Sequence, residues 1–130
     1  LVGHLNAKYT KGMLYGTSLG GAVMANVIGS GVKFSRAVID SSPSRFSPHG
    51  CPKRIDPAEH IPDNAENILV ITGEQDSVLD ANMTYELREV AESKGATTYN
   101  GVNYAHPFMD RSFAIHTERM TRIADFFDGK

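Results

Sequence analysis

Tyr15-Gly16-Thr17-Ser18-Leu19-Gly20-Gly21 is the stretch on which the reading of this chain turns. Residues 16–20 fit the pattern G-x-S-x-G. The short apolar run Met13 to Tyr15 in front of it reads as the end of a buried strand. Behind it, Ala22 to Ile28 is apolar nearly all round, with Asn26 the polar exception, and reads as a buried helix that Gly29-Ser30-Gly31 ends. A serine at so sharp a strand-to-helix turn is held in a strained backbone conformation, with its hydroxyl pushed out of the sheet edge. Strand and helix nearly touch there, so the positions two away from Ser18 must be tiny. Gly16 and Gly20 meet that need, and Gly21 lets the helix pack close. The helix start presents N–H groups that lack intrahelical acceptors, which makes the Leu19 N–H a candidate donor to a developing oxyanion.

Two phosphate-binding readings of the same turn fail. A P-loop ends in G-K-[ST], and that place holds Gly20-Gly21-Ala22. A dinucleotide fingerprint needs a glycine where Ser18 stands.

Outward from this turn, strand-like and helix-like segments alternate, the pattern of a parallel sheet covered by helices. Leu1 to Ala7 reads as the tail of a helix, and Phe34 to Ile39 as a second strand. Residues 40–67 hold five of the six prolines and read as a long irregular loop, a length usually tied to function or mobility. Ile68 to Thr72 is a continuous aliphatic run bounded by Gly73, a third strand. Asn82 to Lys94 is an amphipathic helix with Met83, Leu87, Val90 and Ala91 on one face. Thr97 to Tyr99 is a short fourth strand, and Asn100-Gly101 a turn. The last helix runs from about Asp110 to Phe127, with Met120, Ile123, Ala124 and Phe127 as its apolar stripe. The expectation is one domain over 1–130 with no internal repeat.

Two further elements carry chemistry. Gly73-Glu74-Gln75-Asp76 follows the third strand directly, so an acid here faces the same rim of the sheet as Ser18. Asp76 is placed to accept a hydrogen bond from a histidine and set its tautomer. Glu74, Asp80 and Asp40 compete for that role, Asp40 because it ends the second strand. Asn103-Tyr104-Ala105-His106-Pro107-Phe108 lies in the loop after the fourth strand, where His106 can act as general base and then general acid. His4 precedes the serine turn, His49 and His60 sit in the proline-rich loop, and His116 falls on the surface of a helix. Ser18, Asp76 and His106 each follow a predicted strand, 58 and 30 residues apart, and that agreement outweighs any one motif.

Bulk properties exclude other classes. The 13 basic and 15 acidic residues leave a net charge of −2, so no strong field draws the chain to nucleic acid or an anionic membrane. No apolar run approaches the ~20 residues of a membrane span. Cys51 is the one cysteine, so no internal disulfide forms and a cytoplasmic setting is the expectation. With no histidine placed to activate it, Cys51 reads as a bystander thiol.

The three segments Tyr15 to Gly21, Ile71 to Asp76 and Ala105 to Phe108 together resemble the α/β-hydrolase superfamily of esterases, lipases, thioesterases and serine peptidases. The resemblance covers essentially the whole chain, from the helix before the serine strand to the last helix. It implies a three-layer α/β/α fold with a mostly parallel sheet. It also implies a serine hydrolase of carboxylic esters or thioesters working through an acyl-enzyme. Ser18 would attack, His106 would shuttle the proton, Asp76 would orient His106, and no metal or organic cofactor would be needed. In this family residues 40–67 occupy the place of lid insertions; the stretch is short and lacks an amphipathic helix, which points to an open pocket that Phe46 either lines or leaves by packing down the loop.

The chain departs from the family in one respect. About four further strands normally precede the serine strand, and a loop among them supplies a second oxyanion donor, often from a His-Gly motif. Nothing here matches it, and loss of one such donor costs ~10²–10³ in rate. The first strand would have an unpaired edge. With Leu1 rather than Met at the start, the expectation is a longer parent protein, or a partner chain or second copy that completes the sheet. Acyl transfer and peptide hydrolysis would use the same residues. A non-catalytic interaction module is the competing class.

Overall fold

The computed structural model of the protein describes residues 3, 4 and 12–130. Over residues 12–130 four strands alternate with three helices: β1 Met13–Thr17, α1 Leu19–Gly29, β2 Arg36–Asp40, β3 Ile68–Gly73, α2 Ala81–Ser93, β4 Thr97–Gly101 and α3 Phe113–Phe127. The strands form one sheet in the order β1-β2-β3-β4, and every pair is parallel. The helix expected over Leu1 to Ala7 lies outside the described residues, except that Gly3 and His4 are helical.

Side chains alternate across a strand, so β2 and β3 each feed two cores. Ala37, Ile39, Ile68 and Val70 pack against Ala25 and Ile28 of α1 and Leu87 and Ala91 of α2. Val38, Leu69 and Ile71 point the other way, onto Tyr104 and onto Ile123 and Phe126 of α3. Burial on both faces explains why Ala37 to Ile39 and Ile68 to Ile71 are unbroken apolar runs. The result is the expected α/β/α layering.

Four readings are corrected. First, α1 is not buried on every side: Ala22, Ala25 and Ile28 are buried, but Leu19 and Val23 are more than half exposed. Among the described residues only the sheet side of α1 is covered by strands. Second, α3 begins at Phe113, because the Ser112 Oγ accepts from the Ile115 N–H and caps it there. Of the expected stripe Ile123 is buried and Met120 and Phe127 pack partly buried against the core, joined by the buried Arg119 and Phe126, while Ala124 is exposed. Third, on α2 Leu87, Val90 and Ala91 face the core as expected and Thr84 joins them, but Met83 stays exposed. Fourth, residues 40–67 are a packed segment rather than a loose loop. They form three 3-10 turns, Ser47–His49, Lys53–Ile55 and Pro57–Glu59, and insert Ile61 and Ala65 into the core.

Asp56 pins that segment. Its fully buried carboxylate accepts from the N–H groups of Phe46 and Ser47, the Ser47 hydroxyl and Arg45. Burial works to raise its pKa, but these donors prevail and hold it at about 2. No helix among the described residues is long and apolar enough to cross a membrane.

Candidate active site

β1 stops at Thr17 because its ladder partner runs out at Asp40. The Ser18 N–H still reaches back to the Asp40 carbonyl at 2.9 Å, then the chain reverses into α1. Ser18 sits at φ 55°, ψ −124°, a left-handed region that costs a side chain-bearing residue ~1–3 kcal/mol. That conformation persists because the surroundings hold it. The Ser18 carbonyl accepts from the N–H groups of Gly21 and Ala22, which anchors the first helical turn. Leu19 and Gly20 are the first residues of α1, so their N–H groups precede any intrahelical acceptor, as an oxyanion site requires.

The need for glycine falls differently from the expectation. A methyl group at Gly16 would lie 2.4 Å from the Gly20 carbonyl oxygen, and one at Gly21 would lie 3.1 Å from Ser42 Cβ. At Gly20 a methyl group meets no described atom within 4 Å. It is the backbone of Gly20, not its missing side chain, that fills the space beside Gly16. Gly20→Ala is therefore expected to keep the fold and to raise stability by up to ~1 kcal/mol, since alanine is the better helix former; a urea midpoint below that of the wild type would contradict the open space.

Asp76 lies three residues beyond β3. Its Oδ1 accepts from the Val78 and Leu79 N–H groups at 2.8 and 2.9 Å, which aims Oδ2 at His106 Nδ1, 2.9 Å away. The opposite ring nitrogen of His106, Nε2, lies 2.9 Å from Ser18 Oγ. The Asp76 side chain is 1% exposed and that of His106 12%, so the carboxylate is shielded while the ring edge meets solvent near the serine. With a carboxylate on Nδ1, that nitrogen carries the proton and Nε2 is left as acceptor for the Ser18 hydroxyl. The arrangement can therefore withdraw a proton from Ser18 and hold the resulting imidazolium.

All three sequence-derived side chains thus meet, and the rivals are occupied elsewhere. Asp80 caps α2 through the Met83 N–H. Glu74 accepts from Asn100. Asp40 is wholly buried against Arg119, 2.7 Å away, and faces no histidine. Among the other histidines, His4 and His49 are exposed, His60 contacts the Arg54 carbonyl, and the His116 ring lies 5.9 Å from that of Phe108. Phe46 lines an apolar groove of about 450 Å³ on the outer face of α1, with Leu19, Val23, Val27 and Ile55.

Two residues that shape the site were not anticipated, Arg119 and Asp110. Arg119 is fully buried and donates to Asp40, to both oxygens of Asp110 and to the carbonyl of Ala105, next to His106. Burial opposes its charge, but the two carboxylates outweigh that and raise its pKa. Asp40 shifts up, because burial there outweighs Arg119. Asp110 shifts down: burial raises it, and the bonds from Arg119 and the Ala105 N–H prevail. An arginine on a helix reads as a solvent-facing residue, and its carboxylate partners lie 79 and 9 residues away, so no local signal marks it.

The sequence matches no protein-family profile and no curated protein. Solved structures do match. The native esterase Est2 of Thermogutta terrifontis aligns with a TM-score of 0.68 at 16% identity, covering 88% of this chain and 53% of that one. The same esterase phosphonylated by cyclosarin gives 0.68 at 17% identity, with 88% and 52% covered. Esterase Pf2001 of Pyrococcus furiosus gives 0.70 at 14% identity, with 98% and 58% covered. The chain thus spans little more than half the length of these esterases. With four parallel strands layered between helices and this likeness over most of its length, the chain has an α/β-hydrolase-type fold.

Proposed function

We propose that this chain carries the catalytic residues of a serine hydrolase that cleaves carboxylic ester or thioester bonds through an acyl-enzyme. The observation that carries the reading is the unbroken relay from Ser18 Oγ through His106 to a buried Asp76 whose second oxygen is fixed by two backbone N–H groups. Ser18 Oγ attacks the carbonyl carbon as its proton passes to His106 Nε2. Asp76 stabilises the imidazolium without taking the proton. The Leu19 N–H faces the oxyanion of the tetrahedral intermediate. His106 then protonates the leaving alkoxide or thiolate, and water repeats the sequence to release the acid. Acyl transfer would differ only in the final acceptor.

A non-catalytic interaction module is the second reading. It is favoured by the edge of β1, which among the described residues pairs with β2 alone, and by the exposed Met13, Tyr15, Leu19 and Val23 beside it. That surface would take a further strand from a partner chain or from a second copy.

The organophosphorus adduct of the Thermogutta esterase suggests the test. A fluorophosphonate reacts with an activated serine and not with a merely exposed one. The purified protein is expected to gain the mass of one phosphonyl group, and Ser18→Ala to gain none. A folded wild-type protein that stays unlabelled would favour the interaction module.

A further inference from the structure

Arg119 joins the backbones on either side of the Ser18–His106 contact. Its Nη1 donates to Asp40 Oδ1 at 2.7 Å, and the Asp40 carbonyl receives the Ser18 N–H. Its Nη2 donates to the Ala105 carbonyl at 2.7 Å, one residue before His106. Nε and Nη2 also grip the two oxygens of Asp110 at 3.0 and 2.9 Å, and Asp110 Oδ1 accepts the Ala105 N–H at 2.9 Å. Both polar backbone groups of Ala105 are thus tied to one ion pair. The guanidinium lies over the Tyr104 ring, 4.3 Å from its centroid, and is wholly out of solvent, as is Asp40. Asp40 Oδ2 has no hydrogen-bond partner among the described residues, so Arg119 is the one cation compensating that carboxylate there.

From this we infer that Arg119 is a positioning residue: through Asp40 and Ala105 it sets the distance between Ser18 Oγ and His106 Nε2. The inference rests on the proposed hydrolase reading for its kinetic consequence, though not for its geometric one. A packing role alone would call for any side chain that fills the space. A planar fork that meets two carboxylates and a carbonyl at fixed angles is a specific demand, and lysine, a point charge on a flexible stem, does not meet it. A shift of about 1 Å between reacting groups can cost ~10²-fold in rate.

Arg119→Lys keeps the charge that Asp40 and Asp110 need and removes the fork. Two readouts decide. With far-UV circular dichroism unchanged, kcat on a short activated ester, counted per titrated site, is expected to fall about 10- to 100-fold with KM within about twofold. The downfield proton resonance of His106 Nδ1–H, bonded to Asp76, is expected to move or vanish. A folded variant with normal kcat and an unchanged resonance would overturn the inference. If Arg119→Lys does not fold, Asp110→Asn serves: it keeps Oδ1 for the Ala105 N–H, weakens the grip on the guanidinium, and is read in the same two ways. If the wild type neither turns over nor labels, the hydrolase reading fails by itself. The resonance then decides alone: displaced in the variant, it supports positioning by Arg119; unmoved, it refutes it.

Discussion

On the proposed hydrolase reading, Ser18→Ala and His106→Ala are each expected to lower kcat on an activated ester by about 10⁴- to 10⁶-fold, with the double variant falling no further than the weaker single one. The magnitude follows from what each group does. In the proposed mechanism no acyl-enzyme would form without Ser18, and without His106 the hydroxyl would keep its proton, since Nε2 at 2.9 Å is the acceptor that faces it. The lack of additivity follows from the same geometry, because a nucleophile and its base act in one step and removing either ends that step. Steady-state rates of the three variants against the wild type are the check. His106→Ala within tenfold of the wild type, or a double variant slower by the product of the single losses, would dissolve the relay. Asp76 sits one hydrogen bond further out and in the proposed mechanism would tune the base, so its removal is expected to be the milder change.

Gly16→Ala is expected to cost about 3 kcal/mol or more and to take reactivity at Ser18 with it. The added methyl carbon would lie 2.4 Å from the Gly20 oxygen, 2.7 Å from its carbonyl carbon and 2.9 Å from the Gly21 nitrogen. All three atoms are backbone in the first turn of α1, so no side chain can swing aside. Relief requires α1 to lift from β1, which drags Ala22 and Ala25 out of the close packing beneath. It also opens the turn that keeps Ser18 at its positive φ. Urea unfolding monitored by circular dichroism measures the loss, with Gly20→Ala as the control that changes the same residue type four positions on. A Gly16→Ala protein as stable as Gly20→Ala would show that strand and helix are not so close.

The order of elements and the three side chains that meet at the serine turn were legible in the sequence for physical reasons that act locally. Ile68 to Ile71 is aliphatic without interruption because a central parallel strand is buried on both faces. Ser18, Asp76 and His106 stand out because each lies within a few residues after a strand, and in a parallel sheet all such positions gather on one rim. The meeting of the three is thus a consequence of strand order more than of any motif. The glycines of the serine turn were legible as a group, but not one by one: whether Gly20 or Gly21 must lack a side chain depends on Ser42 and Ile39, which arrive from β2 and the segment after it.

What the sequence by itself determined is the parallel layering and which three side chains lie on one rim of the sheet, since periodicity and turn chemistry are properties of neighbouring residues. Only the tertiary structure decided how those groups are held. Arg119 lies inside because Asp40 and Asp110 converge on it from β2 and from the loop after β4. Residues 40–67 are pinned because a buried Asp56 collects donors from residues nine to eleven positions away. A charge is buried only where its partners assemble around it, and that assembly exists only in the folded chain.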